Sequence, residues 1–235
     1  LSLDRPLALA SFLTAFHANK PASAAFVDTA RKILDVEGFL RTMAVVNLLG
    51  SWDTYYLNSQ NYFLHLAVDD SANQPPFATF FLNDLDSLLG VSWPGQKRNW
   101  HDKDLLYRGR EIGKIPLITK LLANDVFRNY YVDFMEWFVA RHFNVDRVRL
   151  LQAPHWSILE QSVYLEADTP FGAPHTNRPW TNDQVYQAAV LNQALTSEQE
   201  PLKGIRVDGI EGFVAARCKK VLAQIAGMTR SNSGV

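Results

Sequence analysis

The chain reads as an α+β domain, mainly α-helical, with one small antiparallel β-hairpin. Three observations predict this. Apolar residues recur at helical spacing over most of the length. Two short runs rich in aromatics, QNYFLHLAV and PFATFFL, flank the turn-like DDSANQP. Residues that start and stop helices fall at the ends of the periodic segments. With 235 residues, 47% hydrophobic and 20% charged, the chain can bury a sizeable core.

The elements follow in order. LALASFLTAFHA (residues 7–18) has Leu7, Leu9, Phe12, Leu13 and Phe16 near helical spacing, and NKPAS breaks it. A second helix runs from about Ser23 to Leu34. A third follows Asp35 as N-cap, carries the stripe Phe39, Leu40, Met43, Val46, Leu49, and stops at Gly50. That leaves Asp53 on a loop just past the helix end. The hairpin comes next, with Asp84 and Asp86 at its exit. Residues 91–114 read as a long irregular loop, a length that is uncommon unless functional. Helices are expected at about Pro116–Ala123, after Asn124 or Asp125 with Phe127, Tyr131, Phe134 and Phe138 on one face, in DRVRLLQA, in PHWSILEQSVYLEAD opened by Pro154 at N1, in NDQVYQAAVLNQAL, and in IEGFVAARCKKVLAQIA. DTPFGAPHTNRPWT reads as loop. The whole is taken as one domain, residues 1–235, with 229–235 a flexible polar tail.

Composition excludes several functions. A net charge of −1 offers no global field for nucleic acid or anionic lipid. A single cysteine, Cys218, forms no internal disulfide and reads as a core residue. No apolar run reaches the roughly 18–20 residues that span a bilayer. The six histidines lack metal-ligand spacing, which argues against zinc. No G-x-S-x-G elbow is present.

The residues that carry chemistry are Asp53, Asn58 and Asn61 before the hairpin and Asp84 and Asp86 after it. Asp53 and Asn58 stand as D-x-x-x-x-N, the spacing of a loop that brings a base and a metal ligand to one γ-phosphate. Asp84 and Asp86, two apart on an extended segment, point to one side and suit a hard cation such as magnesium. The alternative is that these Asp and Asn residues simply cap helix ends and turns. His65, on the hairpin, is a candidate for substrate or phosphate contact against the plainer reading of a strand histidine. The loop GQKRNWHDK suggests a solvated substrate platform, with Arg98 and Lys103 as contacts to acidic or phosphorylated substrate.

VEGFLRTMAVVNLLGSWDTYYLNSQNYFLHL followed by FATFFLNDLDSLLG resembles the core of the spore coat protein H (CotH) kinase-like family. IPLITKLLANDVFRNYYVDFMEWF and IEGFVAARCKKVLAQI resemble its later helices, so the resemblance spans roughly residues 30–226. It implies an atypical protein-kinase-like C-lobe and ATP-dependent phosphorylation of a protein hydroxyl, with ATP and Mg2+ (or Mn2+) as cofactors and a protein substrate as partner. By position it makes Asp53 the catalytic base and Asp84 and Asp86 magnesium ligands. The family's Asn-aromatic pattern prefers Asn61 as the further ligand; the spacing argument prefers Asn58. Two positions depart from the family: Leu82-Asn83 replaces Pro-Trp, and Gln60 replaces the His that often precedes the Asn. The Lys and Glu of an N-lobe and a glycine-rich cover are not found in the roughly 50 residues before Asp53, so the chain is expected to be the catalytic-lobe part of a longer protein, inactive as a fragment. The resemblance favours an exported or cell-surface location and leaves a cytoplasmic one open. Two rival functions stand beside the kinase: a non-catalytic coat-assembly module and a metal-dependent hydrolase.

Overall fold

The computed structural model describes residues 5–69, 74–85, 87–90, 100–107, 114–165, 195–196, 206–207 and 209–228. Its elements are α1 Arg5–His17, α2 Ala24–Ile33, α3 Val36–Leu48, β1 Tyr62–Ala67, β2 Phe77–Leu82, a short 3-10 turn Trp100–Asp102, α4 Pro116–Leu122, α5 Asp125–Arg141, α6 Val145–Leu165, β3 Leu195–Thr196, β4 Arg206–Val207 and α7 Ile210–Ala226. The expected fold class holds: helices dominate, and β1 pairs antiparallel with β2 from Tyr62↔Leu82 to Ala67↔Phe77.

The caps fall where side-chain chemistry places them. Ser23 accepts from the Phe26 amide, Asp35 from Gly38, and Asn124 from Val126 and Phe127. Helix α3 ends in a Schellman arrangement: the Gly50 amide donates to Asn47 O at 3.1 Å and the Ser51 amide to Val46 O at 3.1 Å. Gly50 sits at φ 67, and a Cβ there would lie 2.8 Å from the Phe213 ring.

Helix α3 is the central element, packed on α5, α7 and β2. The hairpin docks on it through Phe80, whose ring meets Phe39 at 5.0 Å edge-on and stacks on Tyr62 at 5.2 Å. Burying such a phenyl ring stabilises by about 2–3 kcal/mol.

Several expectations need correction. Pro154 does not open a helix; α6 runs continuously through it. A proline inside a helix forfeits one bond, here to the Leu150 carbonyl. Leu150 is 67% exposed, so water can take that acceptor. On α5 the buried set is Phe127, Tyr131, Val132, Met135 and Val139, while Phe134 and Phe138 are half-buried and stack on each other at 5.6 Å. Residues 100–107 are not a solvated loop, since Trp100, Lys103, Leu105 and Tyr107 are all buried. Leu195, expected to end a helix, pairs with Val207 in a two-residue ladder. The rest of that helix, the loop before it and the tail 229–235 lie outside the described residues. No described helix is long and apolar enough to cross a membrane.

Cys218 is half-buried, and its thiol donates to Phe143 O at 2.8 Å. Burial pushes it up to about 11, beyond the opposing pull of Arg217. The thiolate is therefore scarce below that pH in the native state, and alkylation at pH 8.5 should be on the order of 100-fold slower natively than in urea. Time-resolved mass spectrometry checks this. Gly50→Ala combines a left-handed backbone with a clash against Phe213, and should lower stability by about 2–4 kcal/mol in urea titration.

Candidate functional site

The site is built on residues 49–61, the loop between α3 and β1. Its aromatics are anchors. Trp52 stacks on Trp100 at 6.1 Å, and Tyr56 meets Tyr107 at 4.7 Å. The Tyr55 hydroxyl accepts from the Leu117 amide at 3.0 Å. That amide is the second of α4, where Pro116 supplies no N–H and no side chain caps the helix. Burial pushes the Tyr55 phenol well above its ordinary range, so it stays protonated. The aromatic density of this stretch is thus explained by packing.

These anchors present Asp53, which is half-buried. Its carboxylate does not cap a helix. Oδ1 accepts from Asn58 Nδ2 at 2.5 Å and Gln60 Nε2 at 2.6 Å. Among the described residues Oδ2 has only a 3.4 Å contact from Asn61 Nδ2, whose shorter bond, 2.7 Å, goes to the Asp53 carbonyl. The three donors are neutral amides. They orient the carboxylate without a formal counter-charge, and Oδ2 keeps most of its accepting capacity.

Asp84 lies on a segment stitched to this loop at both ends. The Asn83 amide donates to Asn61 O at 2.9 Å, and the Leu89 amide donates to Leu49 O at 2.8 Å. Asp84 is exposed and, like Asn61, takes a left-handed backbone, with φ 53 and 57 respectively. Such conformations in non-glycine residues cluster at functional sites. Neither Asp53 nor Asp84 has a cationic partner among the described residues. Among the described residues, which leave out Asp86, no three His, Cys, Asp or Glu side chains converge there.

The structure therefore brings Asp53, Asn58 and Asn61 together and ties Asp84's segment to them. Asp86 and Arg98 lie outside the described residues. His65 is exposed on the outer hairpin face opposite Thr79, about 13 Å along the strand from Asn61, and is not brought to the carboxylates. Lys103 is only 6% exposed, which removes it from any surface platform. Gln60 is the group that sequence reasoning missed. Its signal was present: it occupies the place where the family often has His, and both side chains donate a hydrogen bond.

A mainly helical body with a small hairpin, carrying a carboxylate–amide loop, is the class that fold and site define. A family model described as CotH kinase protein matches residues 5–166, more than half of the chain. The chain belongs to the CotH kinase family. The match begins before residue 30, where the resemblance was placed, and stops short of α7. Among curated proteins, none matches the chain closely enough to count as a relative.

Asn61 can be dissected by two substitutions. Asn61→Gly keeps the left-handed backbone and loses the amide; Asn61→Ala loses both. Urea midpoints should place Ala about 1 kcal/mol below Gly, although alanine otherwise costs less chain entropy.

Proposed function

We propose that the chain carries the catalytic lobe of an ATP- and magnesium-dependent phosphotransferase acting on a protein hydroxyl. The observation that carries this reading is the Asp53 carboxylate, held among the described residues by amides and tied through Asn61–Asn83 to Asp84. Asp53 Oδ2 takes the proton of the acceptor hydroxyl as that oxygen bonds to the γ-phosphorus; the bond from phosphorus to the β-bridging oxygen breaks, and ADP leaves.

The exposed Asp84 carboxylate and the amide oxygen of Asn61 suit a hard divalent cation; Asp86 lies outside the described residues, and the left-handed backbone of Asp84 removes the extended geometry that would set the two carboxylates on one side. Asn61 is favoured over Asn58 because its own carbonyl anchors the segment bearing Asp84. Bound there, magnesium would supply charge neutralisation for the phosphates. The outer hairpin face offers the exposed cross-strand pair Phe63 and Phe81, 62% and 51% accessible, as a flat surface for the nucleobase.

The test uses the protein in its longest natural form with radiolabelled ATP, magnesium and a mixture of protein acceptors. Asp53→Ala should lower phosphotransfer by at least about 1,000-fold. It should cost only about 1 kcal/mol of stability, because the amides it releases can turn to water. Retained transfer overturns the base assignment. Magnesium-dependent phosphate release from a simple ester without nucleotide would favour hydrolysis instead. Failure to bind ATP with magnesium would favour the assembly module.

A further inference from the structure

We infer that Lys103 is a positioning residue that holds the Asp53 loop from beneath, a role that rests on the phosphotransfer reading for its consequence but not for its geometry. Lys103 Nζ donates to Ser51 O at 2.7 Å, two residues before Asp53. The same ammonium lies 3.9 Å from the ring centroid of Tyr56, three residues after Asp53, and 5.4 Å from that of Tyr107. One side chain thus grips the loop on both sides of the carboxylate. A desolvated ammonium over an aromatic face is held more strongly than the same contact in water.

The grip is anchored in turn. The Lys103 carbonyl accepts from Arg217 Nη1 at 2.8 Å and from Gln224 Nε2 at 3.2 Å, both on α7. The chain of contact runs from the last helix through residue 103 to the loop. Beside it, among the described residues, the buried hydroxyls of Ser51 and Thr54 make no hydrogen bond. Burial and the neighbouring Arg217 draw the ammonium well below its ordinary range, so the fold sustains this lysine at a cost. An apolar side chain would avoid that cost, and would leave the Ser51 carbonyl without its donor.

Amide hydrogen exchange on the longest natural form tests this. Lys103→Met should exchange about 10-fold faster across residues 51–58, the scale of one lost hydrogen bond, with α5 and α7 unchanged. Tyr56→Leu removes the ring from the ammonium and should give the same local pattern; it decides the matter where Lys103→Met does not fold. In a phosphotransfer assay Lys103→Met should lower kcat about 10-fold with KM for ATP held within about 2-fold, the mark of a displaced base rather than a lost binding contact. Unchanged exchange over 51–58 in a folded variant, or protection lost evenly along the chain, overturns the inference. A wild-type protein that transfers no phosphate counts against the catalytic reading alone, and the exchange comparison still decides the role of Lys103.

Discussion

The structure depends on one buried cation. Arg217, in the middle of α7, is fully buried and donates to backbone rather than to a carboxylate: Nη1 to the carbonyls of His101 and Lys103, both at 2.8 Å, and Nη2 to the carbonyl and side-chain oxygen of Asn47. Burial pulls the guanidinium down to about 10, still far above neutral pH, so it remains charged. Taking such an ion out of water costs several kcal/mol. What offsets it is a set of charge-assisted hydrogen bonds to acceptors on two separate segments. The Asn47 carbonyl belongs to the last turn of α3, and the other two belong to a segment with almost no regular structure. The planar fork of arginine reaches both at once, which a lysine could not.

The irregular segment 100–107 is therefore core by another route. Asn47 Nδ2 donates to Asp104 O at 3.0 Å, Tyr131 hydroxyl to Leu105 O at 2.9 Å, and Tyr107 hydroxyl to Met43 O at 2.7 Å; the Leu105 amide meets Gln224 Oε1 at 3.0 Å. Helices α3, α5 and α7 each supply side chains to it, so its backbone needs no ladder. This is how a rigid floor comes to lie under the loop that bears Asp53. If Asp53 is the base proposed above, its orientation must persist through the reaction, and a loop held by packed neighbours supplies that better than a free one.

What could be read from residues alone divides along physical lines. Helices α1 to α3, α5 and α7 were legible because their signals are local: a period of 3.6, Ser23, Asp35 and Asn124 before the first turn, Gly50 after the last. The hairpin was legible from Tyr62–Ala67 and Phe77–Leu82 flanking polar residues. Pro154 misled because its local preference for N1 was outvoted by the rest of a 21-residue helix. Segment 100–107 misled because Lys103, Asp104 and Trp100 look solvated in a window of ten residues. Trp100 is buried on Trp52, and the backbone of Lys103 and Leu105 is held by Arg217 and Gln224, more than 110 positions away. The same holds at the candidate site. Asp53, Asn58 and Asn61 could be named from spacing and family pattern, but the bond from Gln60 is a matter of loop geometry that no spacing rule encodes.

The distribution of charge gives the site its meaning. The two basic side chains buried beneath this region, Arg217 and Lys103, are committed to carbonyl oxygens and aromatic rings. Asp53, above them, is held by three uncharged amides. Those amides orient the carboxylate through hydrogen bonds alone. The arrangement separates two tasks that a salt bridge would merge: rigidity comes from basic side chains facing backbone below the loop, and negative charge is kept available above it. On the phosphotransfer reading proposed above, a site that takes a proton beside a divalent ion would gain from that separation.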